Sequence, residues 1–317
     1  MKNGKFVISL DFEKYWGIRD HSKISDYKTN LDNVDTICFR LLNLFSKYKI
    51  HTTWATVGFL LFDNKKELIE NIPHVLPLYY NKCLDPYSYA KGNDLLYKYH
   101  FANEIIKEII NTDYQEVASH TFSHYYCLEA GQDKNTFKAD LGANIDWVKR
   151  KYNIDIKSIV LPRNQVNCDY IDVLRKMNIS SYRGNEDNWL YNSRMNNVLK
   201  RIFRLIDSYI NITGYNTCQL EKKKNEGPLN IPSSRFLRPV SNKLFFLEKI
   251  RLRRIKRQMT NAARKNELFH LWWHPHNFGM NMDANFVFLE KILLHYVDLN
   301  EKYNMVSLNM GEVCLEK

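Results

Sequence analysis

The chain has 317 residues, 44% of them hydrophobic and 14% aromatic, with a formal net charge of +11. That is enough to bury a substantial core, and no run approaches the ~18 apolar residues that a membrane-crossing helix needs. Six cysteines (Cys38, Cys83, Cys127, Cys168, Cys218, Cys314) include no CxxC pair, which argues against a zinc ribbon or a disulfide framework. The apolar run at the N-terminus is broken by Asp11 and Glu13, too early for a signal peptide, so the sequence reads as cytoplasmic. The charge is uneven: residues 200–265 hold 17 Lys+Arg against 4 Asp+Glu, and the remainder is close to neutral. Such a block suits either an anionic partner or a solvated basic face.

In chain order, KFVISL (5–10) reads as a buried strand and 31–48 as a helix with apolar Val34, Ile37, Leu41, Leu44 and Phe45. A β-branched, aromatic strand follows at 52–61, turning at Gly58, and QEVAS (115–119) is the next. Helix 137–152 leads to strand 156–162, ended by Pro162. A short helix at 170–178 and a short strand at 180–184 come next, then a long helix at 244–266 and strand ELFHLWWHP (267–275). Helix 284–303 and a last strand at 304–310 complete the pattern. This alternation predicts an α/β fold with a parallel sheet in one domain spanning 1–317, and seven or eight such units favour a barrel over an open sheet, although periodicity alone does not fix closure. Two stretches rich in tyrosine and asparagine, about 72–114 and 190–240, break the rhythm and are expected to be insertions.

In a parallel barrel the chemistry sits where strands end. Asp11 and Glu13 follow the first strand and project to the same side, because side chains alternate along a strand. His120 and His124 follow the third; a four-residue spacing puts both rings on one face of a helical turn, where two imidazoles can share a divalent ion. Arg163 and Asn164 follow the fourth, Tyr182, Glu186, Asp187 and Trp189 lie around the fifth, and His274 and His276 follow the penultimate strand. Trp272 and Trp273 alternate, so one ring belongs to the core and the other to a pocket; Trp273, with Asn164 and Trp189, is taken as a substrate-binding side chain. His270 and His276 are read as structural. Two histidines and a carboxylate would also suit an Fe(II) oxygenase, but those proteins are usually all-β and this chain alternates.

SLDFE, SHTFSH, LPRNQV and LWWHPHNFG, in this order, resemble the motifs of the polysaccharide deacetylases (NodB-homology domains, carbohydrate esterase family 4) over residues 5–310. The first motif departs from the commonest form: its carboxylates are separated by Phe12, as in branches with an Asp-x-Asp or Asp-x-Glu spacing. In the third motif Pro162 precedes Arg163, the reverse of the usual order. The resemblance implies a distorted (β/α) barrel of about seven strands. It implies Asp11 as general base, Glu13, His120 and His124 as ligands of one divalent ion, most simply zinc, Arg163 orienting Asp11, and His274 as general acid. It implies removal of an N-acetyl group from an acetamido sugar in a glycan or glycan precursor. The alternative is the same site acting on a formamido sugar, a cyclic imide or a ureide. The implied partner is a carbohydrate, free or linked to phosphate or lipid, and not nucleic acid. The helix over 245–259 has an apolar stripe (Phe245, Leu252, Ile255, Met259) and a basic side (Lys249, Arg251, Arg253, Arg254, Lys256, Arg257). If that side faces outward it could meet an anionic membrane surface, placing the enzyme at the inner face of the membrane.

Overall fold

In a computed structural model describing residues 3–186, 188, 190, 198–220 and 227–316, nine strands form one sheet. They are β1 (Lys5–Phe12), β2 (Thr52–Thr56), β3 (Gln115–Ser119), β4 (Ser158–Ile159), β5 (Ser181–Tyr182), β6 (Leu229–Asn230), β7 (Arg235–Phe236), β8 (Leu268–Trp273) and β9 (Val306–Ser307). The order is β6-β5-β4-β3-β2-β1-β8-β7, with β9 beside the start of β1, and every ladder between these strands is parallel. The sheet curls until one extended segment, 229–237, serves both ends. Its first half bonds to the β5 side (Ile231 N to Tyr182 O, 2.9 Å; Ser233 N to Gly184 O, 3.0 Å). Its second half bonds to β8 (Ser234 N to His270 O, 2.8 Å; Leu237 N to Trp272 O, 2.8 Å). The result is the distorted α/β barrel expected from the sequence.

β1 lies centrally and is buried along its whole length, as a strand covered on both faces must be. Ile8, Leu10 and Phe12 point to the main core beneath the helices. Val7 points into the barrel, where it meets Ala55, Val160, Ile231 and Leu268, closed from below by Met310 and Val313. Ser9 and Asp11 continue that inward row towards the carboxyl edge. The crossover helix Val34–Tyr48 buries Val34, Ile37, Cys38, Leu41, Leu42 and Phe45, an amphipathic spacing. Helices Lys134–Tyr152, Glu248–Lys265 and Met282–Tyr303 each stop at an asparagine in the left-handed conformation, Asn153, Asn266 and Asn304.

Three expectations change. Strands β4 and β5 have two residues each, against the longer runs read from composition. The supposed insertions are partly structural: Asn103–Asn111 is a crossover helix packed on β3, and 190–240 contains β6 and β7, which close the barrel. The helix Glu248–Lys265 does not turn all its cations outward. Arg251 is buried against Glu248 and the Arg238 carbonyl, and Arg254 is buried against Asp207. Phe245, assigned to the packing stripe, is exposed. The outward basic face therefore shrinks, and with it the argument for a membrane contact there. Among the described residues no helix is long and apolar enough to cross a membrane.

Candidate active site and metal centre

Because every strand is parallel, the ends of β1, β3, β4, β5 and β8 reach the same edge. Five non-glycine residues just beyond three of these ends have positive φ: Lys14 (44°), Thr121 (62°), His124 (64°), Arg163 (55°) and Asn164 (52°). Such residues cost about 1–3 kcal/mol each and persist where surrounding contacts enforce them. At Lys14 the enforcement is visible: its buried ammonium donates to the Phe101 carbonyl at 2.8 Å.

His120 and His124 do not lie on a helix, as their spacing had suggested. They sit in an irregular loop, 120–126, whose two left-handed residues bring the rings to 5.3 Å between centroids. Asp140, buried on the helix Lys134–Tyr152, holds this loop. It accepts from Phe122 N (2.7 Å), Tyr87 OH (2.7 Å) and Ser123 Oγ. Burial pushes the Asp140 carboxyl up to about 6.

Glu13 Oε2 lies 3.1 Å from His124 Nε2 and 3.4 Å from His120 Nε2. His120 Nδ1 is 2.8 Å from the Val160 carbonyl, which can only accept, so Nδ1 carries a proton and, in the neutral imidazole, Nε2 presents a lone pair. That Nε2 is buried with no hydrogen-bond partner and faces a carboxylate oxygen. In the neutral imidazole two acceptors then face each other, an arrangement that a divalent cation between them would satisfy. Burial also drives His124 down, towards the neutral form that ligates metals. For Glu13, burial opposes the charge, but His274, His120 and His124 outweigh it and hold the carboxyl well below its usual value. Two imidazole nitrogens and one carboxylate oxygen, all within 4.8 Å of one another, fit a zinc-type divalent ion. A second group, Glu13 with His274 and His276, shares the same carboxylate.

Gly17 completes the Glu13 niche: a Cβ there would fall 2.0 Å from Glu13 Oε1. We therefore expect one ion per chain. Glu13→Ala, His120→Ala and His124→Ala should each weaken binding strongly, Gly17→Ala should weaken it by displacing Glu13, and His276→Ala should leave it unchanged. Elemental analysis with a titration of added zinc reads this directly; an unchanged affinity in Glu13→Ala would move the third ligand elsewhere.

Asp11 is buried and held by Arg183, not by Arg163 as expected. Arg183 donates from Nη1 to Oδ1 at 2.6 Å and from Nη2 to Oδ2 at 2.8 Å. It also donates to Asn164 Oδ1 (2.8 Å) and Ser9 Oγ (3.0 Å), and its guanidinium lies 4.1 Å from the Trp272 ring centroid. Ser9 Oγ in turn lies 2.8 Å from Nε2 of His270, whose Nδ1 faces the Ile231 carbonyl, so His270 is structural. Burial disfavours a charged Asp11, yet Arg183, aided by His120 and His274, holds its pKa below the ordinary value. Arg163 pairs instead with Asp20 and lies over Tyr126. His274 Nε2 stands 3.5 Å from Glu13 Oε1 and 3.7 Å from Asp11 Oδ2, and at 24% exposure it is the member of the cluster most open to solvent.

A cavity of ≈ 440 Å³ reaches this cluster at His274 and Asn164. Trp272 lines it, whereas Trp273, expected there, is buried between Phe45 and Phe278. Tyr182 packs on the core, and Glu186 lines the cavity. Trp189 and Asp187 lie outside the described residues. Arg183 went unread because SSYRG was taken whole as a strand; a cation at the end of a buried strand was the available signal.

A parallel α/β barrel with two carboxylates and three histidines gathered at its carboxyl edge is the setting of a hydrolytic site. The family model described as Polysaccharide deacetylase matches residues 7–182, more than half of the chain, and the protein belongs to that family, one of hydrolases acting on amides. No curated protein matches the sequence. Among solved structures, the fold is similar to one from Mycobacterium smegmatis described as a polysaccharide deacetylase (TM-score 0.62, 11% identity, covering 99% of this chain and 90% of that one). Another so described, from Pseudomonas aeruginosa PAO1, gives 0.57 at 10% identity, covering 98% and 89%. Puue allantoinase gives 0.57 at 9% identity, covering 98% and 89%.

Proposed function

We propose that the protein is a metal-dependent hydrolase that removes the N-acetyl group of an acetamido sugar, in a glycan or glycan precursor. The observation that carries this reading is the convergence of His120 Nε2 and His124 Nε2 on Glu13 Oε2, at 3.4 and 3.1 Å, beside an Arg183-held Asp11. A divalent ion bound by Glu13, His120 and His124 would lower the pKa of a water and polarise the substrate carbonyl. Asp11, kept ionised by Arg183, takes the proton of the attacking water; each of its oxygens retains a lone pair beyond the one the guanidinium uses. His274, on the open side of the cluster, gives a proton to the departing nitrogen, which would otherwise leave as an amide anion. Base and acid are needed in opposite protonation states, so the rate is bell-shaped in pH. The Asp-x-Glu spacing keeps a second amide class in view, formamido sugars or cyclic ureides on the same residues.

Mass spectrometry after incubation of the zinc-loaded protein with a panel of acetylated and formylated sugars and cyclic ureides tests the reading. Loss of an acetyl group supports it, and a panel left intact rejects it. His274→Ala should lower turnover and remove the alkaline limb of the profile while zinc content stays the same. Zinc lost with that change would make His274 a ligand, as in the Glu13–His274–His276 group.

A further inference from the structure

Beyond the acetamido group, the same cavity has a second chemical character. From His274 and Trp272 it extends to a wall carrying Arg204, Arg235 and Arg238, with Arg163 also in the lining. Among the described residues its only carboxyls are Glu129 and Glu186, and burial pushes Glu186 up towards the neutral form. The guanidiniums are fixed in place. Arg235 donates to Asp207 Oδ2 at 2.8 Å and to Gln258 Oε1 at 3.1 Å, Arg238 to Ser208 Oγ at 2.9 Å, and Arg204 to the Leu190 carbonyl at 2.9 Å. Asp207 also accepts from Arg254 at 3.0 Å. One end of the cavity is therefore acidic, at Asp11 and Glu13, and the other is rich in arginine. Preformed guanidinium forks match phosphate oxygens, and they are strongest where the site is partly walled from water.

We infer that the arginine wall is a subsite for a phosphate or diphosphate group on the sugar, so that the substrate is a phosphate-linked acetamido sugar rather than a neutral polymer. This rests on the deacetylase reading for the acetamido end alone. The phosphate could belong to a nucleotide or to a lipid carrier. The helix Val198–Asp207, which supplies Arg204, exposes Leu199, Ile202, Phe203 and Ile206 along one face, a reason to test the lipid form directly.

The experiment is equilibrium binding, by calorimetry, of N-acetylglucosamine 1-phosphate, UDP-N-acetylglucosamine and a detergent-solubilised prenyl diphosphate of N-acetylglucosamine, each against the neutral methyl glycoside. Wild type is compared with Arg204→Ala/Arg238→Ala and with the milder Arg238→Gln, each checked for unchanged melting temperature. At least one phosphate form should bind about tenfold or more tighter than the glycoside. The double variant should erase most of that margin without altering the glycoside, and added salt should narrow it. The form with the larger margin identifies the carrier. Equal binding of charged and neutral sugars, no saturable binding of any phosphate form, or a margin that survives both variants overturns the inference. If the margin holds and no acetyl is released from any form, the subsite stands and the deacetylase reading fails.

Discussion

Asp11→Asn should lower acetyl release by about 10²-fold or more, the scale of a positioned base, while leaving zinc content as in wild type. The change keeps the shape of the side chain and removes its capacity to take a proton. Asp11 does not belong to the Glu13–His120–His124 group, so the ion should remain. Turnover measured at saturating substrate, beside elemental analysis, separates the two effects. Activity close to wild type in the asparagine variant would transfer the base role to another group, and loss of zinc would make Asp11 a ligand.

A larger structural effect is expected at Arg183. Asp11 and Arg183 are both buried and joined by two hydrogen bonds, and removing one partner of such a pair typically costs about 3–5 kcal/mol. Arg183→Ala should lose stability on that scale in urea. Its pH dependence has a defined sign. In wild type the Asp11 pKa lies below its ordinary value of 3.8, so the pair contributes stability above that pH and loses it as the pH falls through the folded-state value. Without Arg183, burial becomes the dominant influence and raises the Asp11 pKa. The contribution then reverses, and stability declines as the pH rises through the raised value. The acidic limb of the activity profile should move upward with it. Arg183→Lys keeps a charge but not the fork and should fall between the two. An alanine variant as stable as wild type, with an unmoved acidic limb, would show that Arg183 does not set the state of Asp11.

The parallel sheet and the positions of its strand ends were legible in the sequence because buried strands bounded by turn residues leave a local signature. Asp11, Glu13, His120 and His274 could be named for the same reason, since each lies within one residue of such an end, and His124 by its four-residue spacing from His120. The conformation joining His120 to His124 was not legible. A four-residue spacing suits a helical turn, but bonds to the backbone within 119–125 from Asp140, Ser119 and Thr121 side chains and from Gly58 N and Phe59 N support the left-handed residues instead. The partner of Asp11 was misassigned between two arginines that follow neighbouring strands. Sequence spacing cannot tell which of them the barrel turns inward, and Asp20 draws Arg163 away. Trp272 and Trp273 were correctly split between pocket and core, but in the wrong order, since alternation fixes the difference and not the phase. The closing segment 229–237 was hidden because two short ladders, one on each side, leave no run of apolar residues.

That segment gives the molecule an order of assembly. Glu13, His120 and His124 stand on β1 and on the loop after β3, strands that join through β2 by the pairings Ile8 with Thr52 and Thr52 with Gln115. These contacts close comparatively short loops of chain, so the ion-binding trio can form early. His274 arrives only when β8 returns to pair Leu10 with Trp273, and Arg235 and Arg238 take their places only as 229–237 zips into the gap beside it. Opening of that seam would dismantle the arginine wall and loosen the support of His274 while the ion-binding trio stayed whole. On the proposed reading, the barrel divides into a locally paired half that carries the candidate ion site and a long-range half that carries His274 and the arginine wall, and hydrogen exchange should find the seam between them the first to open.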